Sequence, residues 1–428
     1  MSRTGLMFIL LLGLFSSARA ETAVYTIQDA YNSALRSHEA VKIAEESRIQ
    51  TESRVDQAKT YLYPRLTGNG AYTRYNEVLP PGGGFVFQPI DEIRAGIVLT
   101  QPLYTGGRTM AAWRAAMDMN EASRHELAST RQSIMAGVAE SYYAVIKAQK
   151  LLDVSKQSLV RMERHKKVTE REAATRKTKA NASALLRANT LVNQARIGVL
   201  RAEDGLTIAR QRLSLVTNLP ADIEVVEPDP LQEPEESVAV IMLTALQQRD
   251  DYARSQLDRK VSEEFVAITQ GGHYPQVYAE GGIRYTQSEP NTQMDGTIYY
   301  GGLRLQIPIF EGGLMKYEVS EARSKQRQAD LASSLLKRRI EAEVHEAYIN
   351  YQTITAVLAT AKLQLADARS NFDAVEGLFA EGLVPSLSLI DAEQALSLAE
   401  RELVSVMLDR QLSIIRLEKS VGMLGKRS

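Results

Sequence analysis

Apolar residues recur every seven positions along both halves of the chain. In the second half, two such series run side by side over residues 340–379, and in the first half one runs over residues 138–159. The members are Val344, Tyr351, Leu358, Leu365, Phe372 and Phe379; Ile340, Ala347, Ile354, Ala361, Ala368 and Val375; and Val138, Val145, Leu152 and Leu159. A sustained period of seven indicates long helices that pack along apolar seams, as coiled coils do.

Proline positions are consistent with helices of unusual length. No proline occurs between Trp113 and Leu219, and after Gly313 the next one is Pro385. A helix of ~65 residues would be about 100 Å long at 1.5 Å of rise per residue. We therefore predict two long helices in each half of the chain.

A period of two residues marks the segments before each long helix. Ile93, Ala95, Ile97 and Leu99 alternate with more polar neighbours, and residues 299–309 alternate in the same way. Alternation of this kind predicts half-buried β-strands. The predicted strands lie near residues 65–77 and 91–104 in the first half and near 276–288 and 297–310 in the second.

The same landmarks appear twice in the same order. The first predicted strand pair ends in Pro-Leu-Tyr-x-Gly-Gly and the second in Pro-Ile-Phe-x-Gly-Gly, which places strand-to-helix corners at Pro102, Gly106, Gly107, Pro308, Gly312 and Gly313. Self-similarity at this scale predicts two structural repeats. We assign residues 21–220 to the first repeat and 238–428 to the second, each with a helix, two strands and two long helices. The acidic, proline-rich segment 221–237 is predicted to link them.

The N-terminal residues resemble a secretory signal peptide. Residues 1–20 combine Arg3, an apolar stretch from Gly5 to Phe15 and the small-residue ending Ala18-Arg19-Ala20. No later segment is apolar for the ~18 residues that a transmembrane helix needs. Export without such a helix leaves the periplasm, the medium or the outer membrane as destinations.

Composition excludes several kinds of chemistry. The chain has 51 Lys and Arg against 52 Asp and Glu, so no overall field attracts nucleic acid. It has no cysteine, which excludes disulfides, thiolate catalysis and the lipidated cysteine of a lipoprotein. The five histidines are far apart, and no catalytic constellation can be argued from spacing. We expect no metal, no cofactor and no enzymatic activity.

Four strands per chain are too few to close a barrel. An unpaired strand edge in hydrocarbon costs several kcal/mol for each orphan backbone group. If the strands lie in a membrane, the barrel must be shared between chains. Two chains would give eight strands with a filled interior, and three would give twelve strands with a lumen.

These motifs together resemble the TolC-like outer-membrane efflux proteins. The resemblance is carried by Tyr63-Pro-Arg-Leu66 and Tyr274-Pro-Gln-Val277, by the two Gly-Gly corners, by Val-x-Glu-x-Tyr at 138–142 and 344–348, and by Glu381-Gly-Leu-Val-Pro-Ser-Leu-Ser-Leu-Ile-Asp-Ala392. It implies an α+β membrane protein. A homotrimer would form a twelve-stranded barrel in outer-membrane lipid, continuous with a long α-helical coiled-coil barrel in the periplasm. It also implies an exit duct that docks on a periplasmic adaptor and an inner-membrane pump of the RND, ABC or MFS class.

The resemblance also implies a gate at the periplasmic hairpin tips. Aligned through Gly382 and Ala392, one acidic gate position is Asp391, while the other acidic position and the gate arginine are replaced by Ser388 and Val384. An aromatic position is Phe379. In the first-half tip, Ala184 and Arg187 stand where relatives carry carboxylates. The relatives' gate network is therefore not expected to transfer directly, and at most one acidic ring, at Asp391, remains.

Charge differs between the two predicted tips. The first carries a basic cluster of Arg171, Arg176, Lys177 and Lys179, and the second has no Lys or Arg from Asn371 to Glu400. We hypothesise that basic and acidic hairpins pair at the closed end or orient the adaptor. The alternative is a solvated charged surface, since exposed pairs are typically worth ~0–1 kcal/mol.

Two other functions remain open. One is an outer-membrane duct for protein secretion of the type I kind, because nothing in the tunnel sequence identifies the cargo. The other is a soluble periplasmic coiled-coil scaffold, which the alternating strands and paired glycine corners disfavour. Membrane fractionation distinguishes the scaffold from either duct.

Overall fold

The computed structural model describes residues 24–76, 88–175, 179–234 and 236–425, without the side chains of 172 and 179–181. The predicted signal peptide at 1–20 lies outside this part of the chain. The described elements follow in order: β1 (Val24–Tyr25), α1 (Ile27–Ser37), α2 (Glu39–Thr60), β2 (Arg65–Arg74), β3 (Asp91–Thr105), α3 (Arg108–Thr175), α4 (Lys179–Thr217), β4 (Glu224–Val225), α5 (Val238–Gln248), α6 (Asp250–Gly271), β5 (Gln276–Glu289), β6 (Gly296–Gln306), α7 (Leu314–Ala380) and α8 (Ser386–Val421).

Two helices, not one, precede the strands in each half, so the prediction of a single helix is wrong. His38 separates α1 from α2 in an extended conformation, and its Nδ1 accepts a hydrogen bond from the Ala40 N–H at 3.2 Å. Arg249 separates α5 from α6 with φ −76° and ψ 120°. Neither residue is a preferred N-cap, so the sequence carries little local signal for these breaks.

Residues 221–237 are more ordered than a simple linker. Within this segment β4 pairs in parallel with β1, Val24 opposite Glu224 and Tyr25 opposite Val225. The fully buried Tyr142 places its hydroxyl 2.9 Å from the Tyr25 carbonyl and 2.6 Å from the Val226 carbonyl. Two-residue strands are too short to show alternation, which is why the sequence pattern misses them.

The four longer strands form one antiparallel sheet in the order β2-β3-β5-β6. Its register pairs Leu66 with Leu99, Ile97 with Ile283, and Ile283 with Tyr299. The last strand ends at Gln306, so the prediction of a strand to residue 310 is wrong. Pro308 therefore follows its strand, whereas Pro102 lies inside β3 beside an irregularity in pairing with β5. Proline lacks the N–H that a strand ladder uses, and it is tolerated within a sheet at such bulges.

The chain divides into two compact units, which do not follow the sequence repeats. The first contains residues of 1–34, 138–230 and 367–404, and the second contains 35–137, 231–366 and 405–428. Each unit thus combines segments from both halves. The whole sheet belongs to the second unit, whereas the ends of the long helices near residues 175 and 380 belong to the first.

The seven-residue seams are buried or half-buried throughout. Val138 and Val145 are fully buried in the first unit, and Phe372 and Phe379 are 6% exposed. In the second unit a core cluster joins helices of the second half: Ile241, Ala245, Ile340, Val344, Leu417 and Val421. Burial of a large aliphatic or aromatic side chain contributes about 1.5–3 kcal/mol, so these seams stabilise the helical packing.

Among the described residues, no helix has the length and apolar character needed to cross a membrane.

Candidate functional site at the hairpin tip

The second-half tip is a tight turn built around Gly382. Helix α7 ends at Ala380, and Gly382 has φ 77°. The Leu383 N–H donates to the Leu378 carbonyl at 2.9 Å, and the Gly382 N–H donates to the Phe379 carbonyl at 3.0 Å. A left-handed glycine with these hydrogen bonds is a standard way to end a helix. The turn leads directly to α8, which begins at Ser386.

The predicted gate residues lie in different environments. Asp391 and Arg187 are exposed, and Ser388, Val384 and Ala184 are half-buried. Phe379 is buried, and its ring centroid lies 5.3 Å from that of His165. The hydrogen bonds and ion pairs described for this part of the chain do not join Asp391 to Ser388 or to Arg187. Phe379 thus helps pack the tip, and Asp391 faces outward from this chain.

One polar cluster of the first unit was missed by the sequence prediction. Arg161 of α3 binds two carboxylates of α8: its Nε lies 3.1 Å from Glu393, and its two terminal nitrogens lie 2.8 and 3.3 Å from the oxygens of Glu400. The Ser158 hydroxyl donates to Glu393 at 2.8 Å. The Arg161 guanidinium also lies 5.9 Å from the centre of the Phe372 ring. We call Ser158, Arg161, Glu393 and Glu400 the Arg161 cluster.

The charged side chains of the Arg161 cluster are buried, so each of them needs a partner of opposite charge. The side chains of Arg161 and Glu400 are each 14% exposed and that of Glu393 is 5% exposed. A buried charge is tolerated only when it is paired and hydrogen-bonded. Glu393 and Glu400 are seven residues apart, so both face α3. No local pattern identifies Arg161 as their partner, because it lies 232 positions from Glu393 in sequence.

His165 lies one turn beyond Arg161 on α3, and it is buried between α3 and the start of α8. Its Nε2 is 2.9 Å from the Ser386 hydroxyl at the start of α8, and the residue is only 4% exposed. It lines a cavity of about 410 Å³ together with Arg161, Arg164, Asp373, Glu376, Phe379 and Leu389. Burial lowers the pKa of His165, because the charged imidazolium is poorly solvated there.

Acidification is expected to weaken the tip through His165. Its pKa is lowered on folding, so it contributes stability above the ordinary histidine pKa of about 6.5 that is lost as pH falls through the lower folded pKa. We expect the unfolding midpoint to fall more between pH 7.5 and 5 in the wild type than in His165→Gln. The midpoint can be measured by circular dichroism. His345→Gln is the control, and an equal pH dependence of wild type and His165→Gln would contradict the assignment.

The predicted basic cluster is only partly described. Arg171 is exposed, whereas Arg176 and Lys177 and the side chain of Lys179 lie outside the described residues. Another basic residue of the first-half tip does meet the acidic second tip: Arg164 lies 3.5 Å from Glu376. Their side chains are 63% and 39% exposed, so this pair is expected to contribute at most about 1 kcal/mol.

The strand-to-helix corners have matching backbones and different surroundings. Gly106 and Gly107 have φ 65° and 81°, and Gly312 and Gly313 have φ 63° and 86°. Each pair comes just before a long helix, α3 or α7. A Cβ on Gly106 would lie 2.2 Å from the Gly271 carbonyl oxygen, whereas a Cβ on Gly312 would have nothing within 4 Å. The first corner is therefore held against the end of α6, whereas at the second corner Gly312 has no close neighbour among the described residues.

A family model described as "Outer membrane efflux protein" matches residues 30–219 and 242–423. The chain belongs to this family. The match spans both halves of the chain, and it confirms the resemblance seen in the corner and tip motifs.

Curated relatives and solved structures agree with the family assignment. The outer membrane protein TolC of Vibrio cholerae serotype O1 is 23% identical over 437 residues, covering 97% of this chain and 96% of that protein. The cation efflux system protein CusC of Escherichia coli K12 is 21% identical, covering 71% of this chain and 69% of that protein.

Two crystal structures share the fold of the chain. The CusC structure has a TM-score of 0.82 at 18% identity, covering 96% of this chain and 95% of that one. The structure of VceC from Vibrio cholerae has a TM-score of 0.80 at 16% identity, covering 92% and 96%. The likeness to outer-membrane channels therefore extends over nearly the whole chain.

Proposed function

We propose that the protein is the outer-membrane exit duct of a tripartite export system. In this role it passes substrates from an inner-membrane pump and a periplasmic adaptor to the outside and catalyses no reaction. The observation that carries the proposal is the sheet of the second unit, which has an apolar exposed face and two open edges. Membership in the outer-membrane efflux family supports it.

One face of the sheet is suited to lipid. The register places Leu66, Ile97, Leu99, Ile283, Tyr299, Leu303 and Leu305 on the same face. Tyr299 is 75% exposed and Leu303 is 74% exposed in the single chain. An apolar patch of this extent marks a membrane or protein contact. Outer-membrane lipid is the partner that fits a face apolar along all four strands.

The open edges favour a shared barrel. Strands β2 and β6 are the outer strands of the four-stranded sheet, and each offers unpaired backbone groups on one side. In the hydrocarbon core of a membrane these backbone groups would have no hydrogen-bond partners, so open edges of this kind are strongly unfavourable there. Three chains of four strands would close a twelve-stranded barrel with a lumen. We therefore propose a homotrimer, with a long α-helical barrel formed by the paired long helices in the periplasm.

The same proposal covers how the N-terminus is processed and which partners the protein has. Residues 1–20 would be removed on export, and we propose that the mature protein is not lipidated, since the sequence has no cysteine. One relative, SilC of Salmonella typhimurium, is named a probable outer membrane lipoprotein. The helical tips would dock on a periplasmic adaptor that links them to an RND, ABC or MFS pump. Nucleic acid is not a proposed partner.

At the tip, we propose that Asp391 forms an acidic ring in the assembled duct. It is exposed in the single chain, and α8 presents it just beyond the Gly382 turn. The family resemblance implies that relatives carry other gate groups at the positions of Ser388, Val384, Ala184 and Arg187, so we propose that the closed end is held differently here. The buried Arg161 cluster and the pairing of basic and acidic tips are the candidates for that role.

The duct is tested by single-channel conductance of detergent-purified protein in planar bilayers, with the oligomer mass measured on the same sample. We expect a trimer that forms small, stable, cation-biased pores. Asp391→Asn should reduce the cation bias, and Asp367→Asn, at an exposed position of α7, should not. A soluble protein without conductance would instead favour the periplasmic scaffold.

Conductance alone does not separate small-molecule efflux from type I protein secretion. Both ducts would behave alike in a bilayer. Deleting the gene in its own host and measuring both drug sensitivity and secreted proteins distinguishes them. We expect drug sensitivity to change, and loss of a secreted protein without such a change would favour the secretion duct.

A further inference from the structure

The face of the sheet opposite the apolar one carries a row of arginines. Arg94 pairs with Thr286 across β3 and β5, Arg284 follows two residues along β5, and Arg304 pairs with Tyr278 across β5 and β6. Arg65 pairs with Thr100, which in turn pairs with Glu280. Side chains of paired residues point to the same face, and so do those of every second residue. We call Arg65, Arg94, Arg284 and Arg304 the arginine row.

Two carboxylates on this face balance only part of the arginine row. Arg94 binds Glu92 at 2.8 Å, and Arg304 binds Glu280. The guanidinium of Arg284 lies instead over the Tyr300 ring, 5.5 Å from its centre. Among the described residues, no carboxylate forms an ion pair with Arg284 or Arg65. The face therefore carries more positive than negative charge.

The arginine row runs along most of the sheet. From the level of Tyr278 to that of Thr286 is eight residues of β5, which is about 27 Å at 3.4 Å per residue. The side chains of Arg94 and Arg304 are each 56% exposed, so their guanidinium groups remain accessible to solvent despite their ion pairs. A solute moving along this face would meet a guanidinium at nearly every level.

We propose that the arginine row makes the sheet-lined part of the duct a binding path for anionic solutes that carry phosphate or carboxylate groups. This inference rests on the proposed duct, in which the apolar face contacts lipid and the arginine row lines the lumen. A guanidinium is always charged and binds both groups through paired N–H donors. Low-dielectric walls around a water-filled passage strengthen its field. The acidic ring proposed at Asp391 belongs to the other compact unit, so the two parts of the duct would select differently.

The test uses sodium tripolyphosphate as a blocker of single-channel current, added to each side of the bilayer in turn at 0.1 M salt. We expect the double variant Arg94→Gln, Arg284→Gln to need about 10-fold more tripolyphosphate for half-block, as expected for losing about 1.4 kcal/mol of binding. Raising the salt to 1 M shortens the Debye length to about 3 Å and should weaken block of the wild type. Arg284→Lys keeps the charge but loses the paired N–H donors, so it should weaken the block less than Arg284→Gln does.

Arg74→Gln is the matched control. Arg74 lies on the same sheet with Asp91 3.7 Å away, but the register places it on the apolar face with Tyr72. Arg74→Gln removes one positive charge and leaves the arginine row intact, so the tripolyphosphate concentration for half-block should be unchanged. Arg284 has no ion-paired carboxylate among the described residues, so the single variant Arg284→Gln leaves no carboxylate without its partner. If the double variant does not assemble, this single variant tests the role of the arginine row.

The outcomes separate the inference from the proposed function. If the wild type conducts and the double variant is blocked at the same tripolyphosphate concentration as the wild type, the role of the arginine row is overturned and the duct is left intact. Equal losses in Arg74→Gln and in the double variant would assign the block to general surface charge and would also overturn it. A wild type that forms no pores overturns the duct itself.

Discussion

Replacing Arg161 with methionine is expected to destabilise the packing of α3 on α8 by about 3–5 kcal/mol, because it leaves two buried carboxylates without their cation. Glu393 would keep one hydrogen bond, from Ser158, and Glu400 would lose its contacts with Arg161. Amide hydrogen exchange reports local opening directly. We expect exchange in residues 389–400 to speed up by at least about 100-fold, since every 1.4 kcal/mol is a factor of ten.

Arg164→Met is the matched control for this prediction. It removes the same charge one turn along α3, from a pair with Glu376 that is largely solvated. We expect a change of about 0–1 kcal/mol there. Adding Glu393→Gln and Glu400→Gln to Arg161→Met should restore much of the stability, because it removes the unpaired charges. Equal effects of the two arginine substitutions would show that burial of the Arg161 cluster does not matter.

The same variant tests whether the Arg161 cluster helps hold the duct closed. If the cluster fixes the position of α8 near Asp391, Arg161→Met should increase the closed-state conductance and Arg164→Met should not. A destabilised tip with unchanged conductance would limit the cluster to a structural role. The two readouts therefore distinguish packing from gating.

Gly106→Ala is expected to have the second large effect, about 2–5 kcal/mol. A left-handed backbone costs a non-glycine residue roughly 1–2 kcal/mol, and overpacking typically adds about 1–3 kcal/mol. The added Cβ would lie 2.2 Å from the Gly271 carbonyl oxygen and 2.9 Å from the Tyr274 Cβ. Backbone at the end of α6 would have to move. Thermal unfolding followed by circular dichroism, together with the yield of folded protein, measures the effect.

Gly312→Ala separates backbone strain from crowding. Its φ of 63° nearly equals the 65° of Gly106, but no atom of the described residues lies within 4 Å of the position of its Cβ. We expect only the strain cost of about 1–2 kcal/mol. If the two substitutions are equally destabilising, either crowding at Gly106 is relieved cheaply or a neighbouring chain packs on Gly312. The oligomer mass of Gly312→Ala distinguishes these cases.

Local periodicity explains what could be predicted about the fold. The seven-residue seams lie on long helices with their apolar side buried or half-buried, and the alternation at 93–99 lies on β3, whose apolar side is exposed in the single chain. Both patterns can be read locally because they follow the side-chain period of one element. The positive φ of Gly106 and Gly312 is also local, since glycine adopts it without a steric penalty. Strand ends were less well predicted, as the end of β6 at Gln306 shows.

Tip chemistry was predicted less completely. The motif around Gly382 located the turn, and Asp391 was predicted as a gate residue from its position relative to that glycine, which stays a prediction. The Arg161 cluster and the contact of His165 with Ser386 were not predicted, although Ser386 lies within the tip motif at 381–392 and Glu393 follows it directly. Their chemistry depends on which helix faces which.

The sequence by itself determined the long helices, the four longer strands, the order of these elements, and the family, because those depend on residues near one another in the chain. Only the tertiary structure decided that β1 pairs with β4, that Gly106 packs on Gly271, and that Arg161 meets Glu393 and Glu400 across more than two hundred positions. Contacts of this range depend on the axial register between packed helices and strands. That register results from the packing of all side chains at once, and no local period records it.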